Sequence, residues 1–136
     1  LHQLSAAALE AGGVRTLRDP TRGGVATTLN EFVEGSALTI ELEEDAIPVD
    51  PAVAAACDLL GLDPLYSACE GRMLAVVSPG QADAVLDALH QTSGGEHAAM
   101  IGRVTESRPG HVVLRTALGG SRILGKLTGA QLPRIC

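Results

Sequence analysis

The sequence predicts an α+β domain, a mixed sheet with helices on both of its faces. Three observations lead there. Helical and strand-like apolar spacings alternate along the first two thirds of the chain. Glycine or proline stands at nearly every change of period. The last third then offers three strand candidates in succession with no helix among them, the pattern of an α+β rather than a strictly alternating α/β fold.

Each element has its own signal. "HQLSAAALEAGG" reads as a helix closed by Gly12 and Gly13. "VRTLRD" is a short strand, and "DPTRGG" a polar, glycine-bearing turn. In "GVATTLNEFVEGS", Val25, Leu29, Phe32 and Val33 fall on one helical face, and Gly35 ends the helix. "LTIELE" alternates with period two and predicts a strand with one polar face. Asp50 is placed to cap a helix with Pro51 at its first position, Val53, Cys57 and Leu60 as its inner stripe and Gly61 as its stop. "GLDPLYSACEG" reads as a loop, and "RMLAVVS" as a nearly continuous apolar strand, hence a central one. "PGQADAVLDALHQTSGG" is a helix with Val85, Leu86 and Leu89 inward. "AAMIGRVTE", "HVVLRT" and "SRILG" are strands of a meander, turning at Pro109-Gly110 and Gly119-Gly120. "KLTGAQLPRIC" has no clear period.

Composition narrows the function. The 136 residues suit one domain, 46% of them hydrophobic and 19% charged, so a packed core is affordable. That core is aliphatic, because Phe32 and Tyr66 are the only aromatic residues. A net charge of −6 with so few aromatic rings argues against nucleic-acid binding. No apolar run approaches the roughly 20 residues of a membrane span. Three cysteines (Cys57, Cys69, Cys136) without close pairs fit free thiols in a reducing cytoplasm. The four histidines are scattered without ligand spacing, so no metal is expected. A first residue of Leu1 rather than Met is expected of a processed chain or a fragment.

Three stretches carry chemistry. In "DPTRGG", Asp19 or Thr21 could cap the following helix, Gly23 and Gly24 allow close backbone approach, and Arg22 adds a full positive charge to a helix amino terminus. That combination suits a phosphate or carboxylate; a plain capped turn uses the same residues. In "YSACEGRM", Glu70 stands where a loop becomes a strand, so partial burial would raise its pKa toward that of a useful base. Gly71 would admit a ligand to its backbone, and an ion pair of Glu70 with Arg72 is the structural alternative. Cys69 reads as an inert, half-buried thiol and Cys57 as core. The carboxylates Glu41, Glu43, Glu44, Asp45 and Asp50 read as the solvated face of a strand followed by a helix cap, rather than as a metal site. The third stretch is Gly129–Cys136, eight residues that span up to about 26 Å. A thiol on such a leash, with Arg134 nearby, could carry a group between distant sites.

Taken together, "DPTRGGVATTLNE", "GLDPLYSACEGRM", "VLRTALGGSRIL" and "QLPRIC" resemble the C-terminal domain of the HypE hydrogenase-maturation family, within the aminoimidazole ribonucleotide synthetase-like superfamily. The resemblance implies an α/β/α domain over residues 1–127, related to the ferredoxin-like arrangement, and a flexible tail over 128–136. An N-terminal half, absent here, would hold most of the ATP and magnesium and form a homodimer. It implies that a partner, HypF, loads a carbamoyl group on Cys136, that ATP drives dehydration to a thiocyanate, and that the cyano group passes to iron on a HypC–HypD complex. Glu70 matches the family's glutamate and would assist the proton transfer. Asp19, Thr21, Arg22, Gly23, Gly24, Gly71 and Arg72 would line the cleft facing the ATP domain. Cys69 and Arg72 depart from the family's asparagine and lysine. The other readings are an anion-binding interaction module, or a synthetase acting on a purine or thiamine precursor.

Overall fold

The computed structural model describes residues 1–128. The chain forms two compact units, Leu1–Asp19 with Glu70–Met100, and Pro20–Cys69 with the segment from Ile101 onward. Secondary structure is α+β, as the sequence predicts, but the strands divide between two sheets rather than sharing one.

The first unit holds α1 (His2–Ala11), β1 (Val14–Arg18), β3 (Leu74–Val77) and α4 (Ala82–His90). β1 and β3 form an antiparallel ribbon with Arg18 opposite Leu74 and an irregularity between Val14 and Thr16. α1 and α4 pack on each other, with Ala8 and Val85 buried. β3 is therefore not central. It has one neighbour, and none of its four residues is fully buried. An unbroken apolar run signals burial on both faces only where two layers are available to cover them, and a two-stranded ribbon lacks them.

The second unit holds α2 (Gly24–Val33), β2 (Thr39–Glu43), α3 (Pro51–Leu60), β4 (Gly102–Thr105), β5 (Val112–Arg115) and β6 (Ser121–Ile123). Its sheet runs β4-β2-β5-β6, with β2 antiparallel to β4 and parallel to β5. The expected meander thus survives only as the β5–β6 hairpin, because β2 inserts between β4 and β5. α2 packs on β2 and β5, over a core of Ala26, Leu29, Val33, Leu42, Val112, Leu114 and Leu124.

β2 overturns the expectation of a solvated polar face. Thr39, Ile40, Glu41 and Leu42 are all buried. Glu41 Oε1 accepts from Ser107 Oγ (2.7 Å) and Thr105 Oγ1 (3.2 Å), and Oε2 accepts from Arg115 Nη2 (3.0 Å) and Arg103 Nη2 (3.3 Å). The Ser107 hydroxyl and then the Arg115 guanidinium, with Thr105 and Arg103, outweigh desolvation and hold its pKa down to about 2. The other carboxylates behave differently. Glu43 is exposed, Glu44 accepts the Ala117 N–H (2.9 Å), and Asp50 caps α3 as expected, accepting the Ala52 N–H at 2.8 Å.

α3 departs from its expected inner stripe. Cys57 is buried, but Val53 and Leu60 are exposed at 47% and 67%. The helix leans on the 3₁₀ turn Pro64–Tyr66 inside the expected loop, and Cys57 is its one buried residue.

Candidate functional site

Two of the three sequence-predicted stretches meet within the second unit. The Cys69 N–H donates to the Pro20 carbonyl at 2.9 Å, and Pro20 is fully buried. This joins "PTRGG" to "YSAC" at the amino end of α2. The Cys69 thiol is half-buried, as expected, and donates to the Ser67 carbonyl at 3.3 Å.

The turn into α2 is built by glycine, not by a side-chain cap. Gly23 is the N-cap residue in the left-handed region (φ 76°), and Gly24 follows at φ 58°. Neither Asp19 nor Thr21 caps the helix. Instead the Gly24 N–H donates to the Thr21 carbonyl (2.9 Å), closing a tight turn before the helix begins. The bond occupies the N–H of the first helical residue, and the left-handed glycines allow the tight turn.

Gly24 is required by packing. A Cβ there would stand 2.6 Å from the Leu65 carbonyl oxygen and would also strike the Ser67 carbonyl. The helix end is thus pressed against the backbone of residues 65–67, where no side chain fits. Thr21 is half-buried and Arg22 exposed. Arg22 is the group at this turn able to meet an anion.

Within the first unit, Asp19 follows the end of β1, and Glu70, Gly71 and Arg72 precede β3. Because Arg18 and Leu74 are paired, both segments stand at the same end of the ribbon. Asp19, Glu70, Gly71 and Arg72 are all exposed. The partial burial expected of Glu70 is not found, since it sits in an open turn with Gly71 at φ 82°. No ion pair joins it to Arg72 among the described residues. Glu70 is an accessible carboxylate. Cys136 lies outside the described residues.

Sequence reasoning missed the segment after β6. Leu124 is fully buried and donates its N–H to the Val112 carbonyl (2.8 Å). Asn30 Nδ2 donates to the Leu124 carbonyl (2.7 Å), and the Leu127 N–H donates to Thr27 Oγ1 (3.3 Å). Lys126 pairs with Glu34 at 2.7 Å. The only hint in the sequence is the placing of Thr27 and Asn30 on α2 three residues apart, hence on one face.

Among the described residues of these turns, the exposed cations that a phosphate could meet are Arg22 in the second unit and Arg72 in the first. A resident divalent metal does not fit, since no three His, Cys, Asp or Glu side chains gather among the described residues. No helix among them is long and apolar enough to cross a membrane.

Comparison with known proteins agrees with this architecture. The chain is 51% identical, over its whole length, to "Carbamoyl dehydratase HypE" of Rhizobium leguminosarum bv. viciae, and spans 39% of that protein. A crystal structure of hydrogenase maturation protein HypE in complex with ATP superposes with a TM-score of 0.85 at 48% identity, covering 94% of this chain and 39% of that one. A HypE–HypF complex gives a TM-score of 0.85 at 35% identity, covering 91% and 40%. The chain therefore spans about two fifths of the length of the relatives it matches. Residues 1–115 match the family described as AIR synthase related protein, C-terminal domain, and the chain belongs to that family.

Proposed function

We propose that this chain is the C-terminal part of an ATP-dependent carbamoyl dehydratase that makes a thiocyanate on Cys136 for the cyanide ligands of a nickel–iron hydrogenase. The observation that carries the reading is the 51% identity to a carbamoyl dehydratase over the whole chain. In it, residues 1–127 form the domain and residues 128–136 the carrier segment.

The chemistry is balanced as follows. The thiol of Cys136 first receives a carbamoyl group from a HypF-type partner, giving Cys–S–C(=O)–NH₂. The carbamoyl oxygen takes the γ-phosphoryl group of ATP, releasing ADP and one proton from nitrogen. The resulting C–O–phosphate bond then breaks. The second nitrogen proton leaves, phosphate departs with the former carbamoyl oxygen, and Cys–S–C≡N remains. Phosphate is a far better leaving group than hydroxide, which is why ATP is needed. In this reading Glu70, an exposed carboxylate in an open turn, takes a nitrogen proton. Arg72 in the first unit and Arg22 in the second are each an exposed positive charge available to a phosphoryl group. Asp19, Thr21, Gly23, Gly24 and Gly71 shape the turns that hold these three. The fragment alone would not turn over ATP, because most of the ATP site and its magnesium would belong to a preceding domain that also forms the homodimer. The cyano group would pass to a HypC–HypD complex in the cytoplasm.

The test is mass spectrometry of the full-length protein after incubation with its carbamoyl-transfer partner. Cleavage at Lys126, the chain's single lysine, releases Leu127–Cys136 with one cysteine. A carbamoyl adduct on that peptide that becomes a cyano adduct only with ATP is the expected result. An unmodified Cys136 under conditions where the partner is active would overturn the reading and favour an anion-binding module. Glu70→Gln should slow the ATP-dependent step by roughly 10²-fold or more and leave loading intact.

A further inference from the structure

We infer that Thr27 and Asn30 are positioning residues that aim the carrier segment at the amino end of α2, an inference that rests on the reading of Cys136 as the carrier. The evidence is a direction. The Leu124 carbonyl is held by Asn30, and three residues later the Leu127 N–H is held by Thr27. Advancing along the strap therefore means retreating along the helix by one turn, from residue 30 to residue 27. Thr27 lies in the first turn of α2, whose N-cap is Gly23. Up to Leu127 the strap therefore runs toward the end of α2 that follows the turn bearing Arg22, where Pro20 and Cys69 are joined.

The two bonds are of a kind that sets geometry. Asn30 Nδ2 also donates to the Ala26 carbonyl at 2.8 Å, so its amide is fixed from the helix side before it grips the strap. Leu124 is fully buried beneath it. The Lys126–Glu34 pair is exposed on both sides and adds little. With the strap seated, Cys136 stands nine positions beyond Leu127; with it released back to Ile123, it stands thirteen positions beyond the last held residue. A flexible tether's effective concentration falls roughly as the −3/2 power of its length, so release costs about twofold from length alone, and more from lost direction.

The experiment uses the full-length protein, loaded at Cys136 and followed in a single turnover at saturating ATP. Thr27→Val keeps the shape and removes the acceptor; Thr27→Ser keeps the acceptor. In Thr27→Val/Asn30→Ala the conversion of carbamoyl to cyano adduct should slow at least about twofold. The KM for ATP and the rate of loading should be unchanged, and Thr27→Ser should convert at the wild-type rate. A purely structural role would lower thermal stability and alter all three quantities together, and that result overturns the inference. So does wild-type conversion by the double variant. Failure of the wild-type protein to convert its adduct at all would instead overturn the dehydratase reading itself.

Discussion

β2 and β3 exchange the roles their sequences suggest. "TIELE" alternates polar and apolar residues, yet Thr39–Leu42 are buried, flanked by a strand on each side. "LAVV" is uniformly apolar, yet it lies half-covered in a two-stranded ribbon. The difference lies in what surrounds them. β2 can bury Glu41 because Ser107, Thr105, Arg115 and Arg103 satisfy its carboxylate from neighbouring segments. β3 has apolar side chains enough for a central position, but only β1 beside it.

Truncation gives the largest expected contrast. Leu42→Ala removes a side chain that is 1% exposed and should destabilise by about 3 kcal/mol. Val76→Ala, on the half-buried β3, should cost about 1 kcal/mol, because less area leaves water and the site can relax. Urea unfolding of the two variants measures both. Equal losses would break the comparison.

The second test concerns pH. Glu41 is held at about 2 against an ordinary 4.5, so the folded state binds its proton more weakly than the unfolded state. Its contribution is present in full above the ordinary value and is lost as pH falls toward about 2. Melting temperatures between pH 5 and pH 2.5 should fall more steeply for the wild type than for Glu41→Gln, which carries no titrating proton there. Parallel profiles would mean that the carboxylate network contributes nothing to acid stability.

The smallest effect sharpens the account of β2. Thr39 is fully buried, and its Oγ1 accepts the Arg108 N–H at 2.7 Å. Thr39→Val preserves the β-branched shape and leaves that N–H without its partner. A loss of about 1 kcal/mol is expected by thermal or urea denaturation. No change would show that water replaces the hydroxyl.

The candidate site repeats the lesson on a smaller scale. "DPTRGG" and "YSACEG" were each legible as turns, because both place glycine beside charged residues. That Pro20 and Cys69 are hydrogen-bonded was not legible, since nothing in either turn encodes the other's position. That Gly24 makes room for the backbone of residues 65–67 was equally hidden. Asp19 and Thr21 looked like caps and are not, because the N-cap position falls on Gly23, which has no side chain.

By itself, the sequence determined the elements and the class. Helix and strand periods, the Asp50–Pro51 cap and the stops at Gly12 and Gly61 are local features, set by interactions within a few residues of one another. The aliphatic core, the α+β class and the family resemblance also follow from the residues alone. Only the tertiary structure decided which strands share a sheet, that Glu41 is buried with four donors, and that Leu124–Leu127 runs along α2 toward its amino end. Those outcomes depend on pairings between residues 60 to 100 positions apart, such as Glu41 with Arg103 and Thr27 with Leu127. Local propensity is indifferent to such distances, and the shared burial of apolar faces is what selects among them.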